Sequence, residues 1–270
     1  MKKFIALALA LVMSLALVAC TASTPGSESA SQPEVQATDL ETIKNKGEMI
    51  IGYTVYEPMN YTDENGVFTG FDTELAEAVC AKLGVTPKFQ EIVWETKEVE
   101  LNASTIDCVW NGMTINEERL ANMEITDPYV VNAQVVVMLK DAAYENTASL
   151  IGKNVCAEQG SAGQTTIEDD ANLAQATFVP KTVQTDCLME VAAGTCDAAV
   201  LDITLANAMI GEGTDYANLV IVDQLAEEFY GVAFRKGSDA AAATNAIFDE
   251  LIADGTMPAL AEKYGLTLAE

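Results

Sequence analysis

Short apolar runs of strand character alternate with amphipathic helical runs, and the alternation occurs twice along the chain. In the first pass, 49–53 reads as a strand broken by Glu57-Pro58, and Asp63-Glu64-Asn65-Gly66 as a turn between Tyr61 and Val67-Phe68. Asp72 is expected to cap a helix whose Leu75, Val79 and Leu83 share one face and which Gly84 ends. A strand over 89–93, a helix over 95–103 and a strand over 106–110 complete the pass. The second pass opens with strands over 133–139 and 154–157 and a helix over 164–173. It continues with a strand over 177–179, a helix over 183–193, a strand over 198–201 and a helix over 203–210. Strands over 219–222 and 230–234 and helices over 240–253 and 258–264 close it. Such patterning predicts an α/β fold of two lobes, each a mostly parallel sheet with flanking helices. A ligand then sits at the strand ends, in the crevice between the lobes.

The first 19 residues read as an export signal. Lys2 and Lys3 precede an apolar run from Phe4 to Val18 that is short for a spanning helix, and small residues lead into Cys20. An uncleaved anchor is the alternative. Leu17-Val18-Ala19-Cys20 resembles the lipobox of bacterial lipoproteins. That resemblance implies cleavage before Cys20, its acylation, and anchorage by lipid to the outer face of the cytoplasmic membrane. Residues 21–38 are Ser, Thr, Ala, Pro, Gly, Gln and Glu with little apolar content, the composition of a flexible tether.

Without its signal the chain carries 12 basic residues against 41 acidic, so its surface repels nucleic acid and anionic lipid. It has no histidine, which excludes Ser-His-Asp catalysis and His-ligated zinc. No cofactor or metal is expected. Asp63-Glu64-Asn65-Gly66 lacks the glycine and glutamate spacing of a calcium loop, and Gly211-Glu212-Gly213 lacks that of a dinucleotide loop. Cys80, Cys108, Cys156, Cys187 and Cys196 form no C-x-x-C, and the one candidate bridge is Cys187–Cys196.

Against this background Arg119, one of two arginines, draws attention just past a strand, Gly112 and Thr114. A guanidinium suits a carboxylate gripped by two parallel hydrogen bonds, although pairing with Glu117 or Glu118 would also account for it. Gln159-Gly160-Ser161-Ala162-Gly163 lies between a strand and a helix, where free amides favour an anion; an ordinary turn capped by Ser161 is the alternative. Asp202 follows an apolar strand and is either a helix cap or an acceptor for an ammonium group. Tyr56 and Trp94 follow the first two strands and would bring aromatic faces to the same edge, with core filling the alternative for Trp94.

Taken in order, these pieces resemble solute-binding protein family 3, the polar amino acid-binding proteins of ATP-binding-cassette importers. The matching pieces include Tyr56-Glu57-Pro58-Met59, Gly70-Phe71-Asp72, Gly112-Met113-Thr114, Glu118-Arg119 and Thr126-Asp127-Pro128-Tyr129. Gln159-Gly160-Ser161, Asp197-Ala198, Asp202 and Tyr230-Gly231-Val232-Ala233 continue the match, which spans nearly the whole body. The resemblance implies that Arg119 takes a ligand's α-carboxylate, helped by the amides of Thr114 and of the turn from Ser161 to Gly163. It implies that Asp202 takes the α-ammonium, with the Gly112 carbonyl and Asn111 beside it, while Tyr56 and Trp94 enclose the side chain. It places hinge crossings near Val136 and Gly231, hence one lobe of 39–135 plus 231–270 and another of 136–230. The implied partners are a free L-amino acid and a membrane permease, and the implied state is a monomer.

Three departures bear on the ligand. Thr54 or Val55 stands where many members have an aspartate, Ala162 and Gly163 replace side chains that hydrogen-bond, and Glu57 and Glu158 are acidic beside the crevice. Either glutamate offers a place for a cationic side chain or simply faces water; a polar or cationic amino acid is expected. The competing enzyme reading is an exported cyclohexadienyl dehydratase on the same fold. It would need a second anion clamp, for which the other arginine, Arg235, is poorly placed. A sensory module presenting ligand to a separate receptor is a third reading.

Overall fold

In the computed structural model, which describes residues 38–270, the double alternation becomes one continuous sheet of nine strands with helices packed on it. The signal segment, Cys20 and the linker up to residue 37 lie outside the described residues. The first lobe opens with α1 (Asp39–Lys46), β1 (Glu48–Tyr53), a small hairpin of β2 (Tyr61–Thr62) and β3 (Phe68–Thr69), and α2 (Phe71–Leu83). β4 (Thr86–Glu91), α3 (Lys97–Asn102), β5 (Cys108–Thr114), α4 (Glu117–Asn122) and β6 (Met123–Ile125) follow. The chain then crosses on β7 (Val130–Leu139) into β8 (Asn154–Glu158), α5 (Ala162–Asp169), β9 (Thr177–Lys181), α6 (Gln184–Ala192), β10 (Ala198–Asp202) and α7 (Ile203–Met209). It returns on β11 (Leu219–Arg235) and ends with α8 (Ala240–Ala253) and α9 (Thr256–Tyr264).

The strand order is β4-β1-β5-β11-β7-β10-β8-β9. β4-β1-β5 and β10-β8-β9 are parallel trios, and the antiparallel pair β7 and β11 joins them. Parallel trios must have both faces covered, which is why Ala198–Asp202 and Cys108–Thr114 are buried at every position. The carboxyl ends of both trios point at the same crevice, so Thr114, Glu158 and Asp202 meet there.

β11 is the largest departure from the expected elements. The predicted strands over 219–222 and 230–234 are one strand of 17 residues. The polar stretch between them remains extended because β7 pairs with it, through register shifts at Ile221/Asp223 and Gln224/Ala226. Asp72 is not a helix cap. Gly70, at φ 127°, holds that position, and a Cβ there would meet the Met59 carbonyl oxygen at 2.2 Å. Asp72 turns inward instead: Oδ2 accepts from the Gly112 amide at 2.7 Å and Oδ1 from the Tyr129 hydroxyl at 2.8 Å. Burial pushes its carboxyl up to about 7. The predicted helix over 95–103 begins as a 3₁₀ turn, Trp94–Thr96.

The Cys187–Cys196 bridge does not form, and all five described cysteines are free and buried. Cys187 belongs to the apolar face of α6, and its carbonyl accepts the Cys156 thiol at 3.7 Å. Burial raises the thiols of Cys80 and Cys196 to about 12, so they behave as small apolar side chains.

Candidate functional site

The cleft between the lobes is lined by Tyr56, Trp94, Asn111, Gly112, Thr114 and Arg119 on one side and Glu158, Ser161, Ala162, Gln184 and Asp202 on the other. The lobes close tightly on it, leaving a cavity of only about 10 Å³. Nine of the ten ligand-site residues expected from the sequence therefore line one cavity. The tenth, Gly163, is not among the lining residues. A Cβ on it would meet the Val200 carbonyl oxygen at 2.6 Å, so its glycine serves the packing of α5 on β10 and Ala162 faces the cleft instead.

Arg119 is buried, and the expected alternative of an ion pair with Glu117 or Glu118 is not formed. Asn116 caps α4 by accepting the Arg119 amide at 2.8 Å, which sets the helix start and turns the side chain inward. The guanidinium donates to the Thr114 carbonyl at 2.8 Å and, across the cleft, to the Gly160 carbonyl at 3.4 Å. It lies 6.0 Å from the Trp94 ring centroid. Burial pulls its pKa down from 12.5, which marks a desolvated cation without a carboxylate partner among the described residues.

Asp202 ends β10 at the first residue before α7, but its side chain does not cap that helix. Oδ1 accepts from Asn132 Nδ2 at 2.7 Å and Gln134 Nε2 at 2.6 Å, and Oδ2 accepts from Gln184 Nε2. Gln184 also accepts the Asp202 amide at 3.0 Å, so the carboxylate is held on both sides. No lysine or arginine among the described residues pairs with it. Asn132, Gln134 and Gln184 were not singled out in the sequence. For Asn132 and Gln134 the signal was only an alternation of polar side chains in an apolar strand, and Gln184 is one of the polar residues at the start of α6.

Gly112 sits in β5 at φ 56°, and a Cβ there would meet Tyr56 Cε1 at 2.8 Å and Tyr230 Cε2 at 3.0 Å. The hydroxyls of Tyr56 and Tyr230 are hydrogen-bonded to each other, which holds the Tyr56 ring over this floor. Asn111 lines the cleft, but its side chain is occupied. It accepts from the Thr54 amide and hydroxyl and donates to Thr54 and Asn60, so it braces β5 against the loop after β1. Ser161 caps α5 by accepting the Gln164 amide at 3.3 Å. That leaves first-turn amides at the carboxylate end of the cleft.

Lys97 was missed altogether. It is buried beside Arg119, 5.0 Å from the Trp94 ring centroid, and donates to Trp94 O at 3.3 Å and across the cleft to Gly160 O at 3.0 Å. Burial, then the charge of Arg119, lowers its pKa to about 8. Gln159 bridges the same gap to Glu95 at 2.8 Å, and Gly160 comes within 3.0 Å of Glu95 Cα when given a Cβ. The two lobes are thus in direct contact here. Arg235 is far from this chemistry, bound to Asp39, Leu101 O and Ile106 O.

Glu158 is 3 % exposed, and its Oε1 has no hydrogen-bond partner. Burial raises its pKa well above 4.5, the charge of Asp202 adds to this, and Lys97 and Arg119 oppose it. Glu57, the other acidic candidate, is absent from the cleft wall.

Residues 49–267 match the family model for bacterial extracellular solute-binding proteins, family 3. The chain is 27 % identical over 269 residues to the arginine-binding extracellular protein ArtP of Bacillus subtilis, covering 98 % of each. It is 26 % identical over 231 residues to the L-cystine-binding protein TcyJ of Escherichia coli K12, covering 83 % of this chain and 85 % of the relative. An arginine-bound form of truncated ArgBP from T. maritima superposes with a TM-score of 0.71 at 32 % identity, covering 78 % of this chain and 99 % of that one. With the family model covering most of its length, the chain belongs to the bacterial extracellular solute-binding proteins, family 3.

Proposed function

We propose that the protein is the extracytoplasmic binding component of an amino acid importer and that it carries a free cationic L-amino acid. One observation supports this above the others. A buried guanidinium in the first lobe and a buried carboxylate in the second share one cavity, and neither has an ionic partner among the described residues. Burying two unpaired charges costs several kcal/mol each, so the arrangement makes sense as a clamp for a zwitterion. Arg119 takes the carboxylate with the amides of Thr114 and the start of α5, and Asp202 takes the ammonium. Tyr56 and Trp94 flank the side chain, and Glu158 receives its positive end. Arginine-binding relatives agree with that side-chain choice.

Ligand joining the lobes favours the closed arrangement by its contacts to both. The hinge is best placed where β7 and β11 pair only with each other, Asn132 and Ala133 opposite Glu228 and Glu227. Val136 pairs with Val200 in the second lobe and Gly231 with Met113 in the first, so each lies a few residues outside that stretch. The rest of the reading keeps the lipid anchor at Cys20, a monomeric body and a membrane permease as partner.

The dehydratase reading needs a second cation in the cleft, and Lys97 rather than Arg235 meets that need. Three carboxylates around the site, Glu158, Asp202 and Glu228, nevertheless disfavour a cyclic dicarboxylate. Calorimetry on protein lacking residues 1–20, against the twenty amino acids plus ornithine and cystine, tests the proposal. The expected result is tightest binding of a basic amino acid, near micromolar, or about −8 kcal/mol. Silence across the panel, or turnover of prephenate or arogenate, would overturn it.

A further inference from the structure

Glu228 lies outside every motif, in the polar stretch of β11, yet it occupies the centre of the crossing opposite Asn132. Its Oε1 accepts from Thr114 Oγ1 at 2.9 Å, Asn132 Nδ2 at 2.6 Å and Gln134 Nε2 at 2.9 Å. The same two amide nitrogens donate to Asp202 Oδ1. Each amide has two hydrogens, so two carboxylates are bridged by one pair of donors. Thr114 carries the chain of contacts on to Arg119 through its carbonyl. Glu228 is thus tied to both ends of the proposed clamp, and it sits on the strand about which the lobes would turn.

We infer that Glu228 is a positioning residue of the ammonium end of the cleft, holding a proton beside the Asp202 carboxylate and giving it up when a cationic nitrogen docks on that aspartate. The inference rests on the proposed role of Asp202. A carboxyl buried beside a second carboxylate favours its protonated form until a cation arrives. Burial first, then the charge of Asp202, raises the Glu228 pKa to about 7, while Gln134, Asn132 and Thr114 hold it back. The other titratable or charged groups facing it are Arg119 from α4, Tyr56 from the loop after β1, and Tyr230 on its own strand. A docking zwitterion neutralises Arg119 with its carboxylate, and its ammonium replaces the proton that Glu228 releases to solvent. The ammonium end therefore keeps one net negative charge, and the pocket as a whole becomes more negative by the one proton released.

The test is calorimetry with L-arginine at pH 7 in buffers of different ionisation enthalpy, which counts protons released on binding. Glu228→Gln keeps an oxygen acceptor for Thr114, Asn132 and Gln134. Wild type should release about half a proton more than this variant, and its affinity should weaken about 5- to 10-fold from pH 8 to pH 6 where the variant changes less. Glu158 contributes to both proteins alike and cancels in the comparison. Equal proton counts would overturn the inference. Failure of wild type to bind arginine would instead count against the proposed function, and a ligand-free measurement then decides the role of Glu228. A folded-state pKa raised above 4.5 means that the stabilisation from this group is full below that value and lost as pH rises through about 7. Wild type should therefore lose more melting temperature than Glu228→Gln between pH 5 and pH 8. Parallel melting curves would overturn the inference with no ligand involved.

Discussion

Replacing Arg119 by alanine weakens amino acid binding by at least about 2 kcal/mol, roughly 30-fold, while leaving the fold as stable as before or more so. The two halves of this expectation have one cause. Within the protein the guanidinium donates only to the carbonyls of Thr114 and Gly160, so its removal relieves a desolvated charge and breaks no ion pair. With ligand present the same guanidinium would satisfy a carboxylate in a dry cavity, where a charge-assisted fork is worth most. Arg119→Lys keeps the charge and loses the fork, so it should fall between the two. Titration calorimetry and melting curves on the same preparations check both halves. A destabilised variant with unchanged affinity would mean that Arg119 is structural.

Glu158→Gln changes selectivity. Burial raises the pKa of the carboxyl well above 4.5, and Glu158 lines the cleft with its Oε1 unpartnered. A cationic side chain would restore its ionisation and gain a charge-assisted hydrogen bond, worth about 1.5–3 kcal/mol. Glutamine has the same shape and cannot ionise, so the variant should lose roughly 10- to 100-fold for arginine, ornithine or lysine and little for neutral polar amino acids. Because ionising Glu158 favours the cation, wild-type affinity for these ligands should rise with pH, and the variant should lose that part of the rise. Competition binding across the panel reads the change directly. Equal losses for all ligands would place Glu158 in the scaffold and remove it from side-chain recognition.

The parts of the fold that were legible in the sequence are those where apolar period alone decides. α8 was expected over 240–253 and is Ala240–Ala253, because its apolar face has no competing pattern. β11 was split in two because extended backbone between polar residues is stabilised by a partner strand 90 residues away, which local pattern does not carry. Asp72 shows a related limit: an acidic residue near a helix start reads as a cap, but the nearer claim on it is the amide of Gly112. In the site, Arg119 and Asp202 were visible because rare or strand-terminal charges stand out. Lys97, Gln184, Asn132, Gln134 and Glu228 were not, because their roles depend on neighbours brought together by tertiary contacts. The resemblance gave Gly163 to the ligand through its amide; its lack of a side chain answers to something local pattern does not carry, the close approach of the Val200 carbonyl.

The claim that matters most is that Arg119 and Asp202 grip the two charged ends of one free amino acid. The measurement closest to it compares the best ligand of the panel with its N-acetyl derivative and its decarboxylated amine, by calorimetry under one set of conditions. The clamp requires both ends, so each derivative should bind at least about 100-fold more weakly than the free amino acid. A decarboxylated amine that bound as tightly as its parent would contradict the account, because Arg119 would then have no carboxylate to hold.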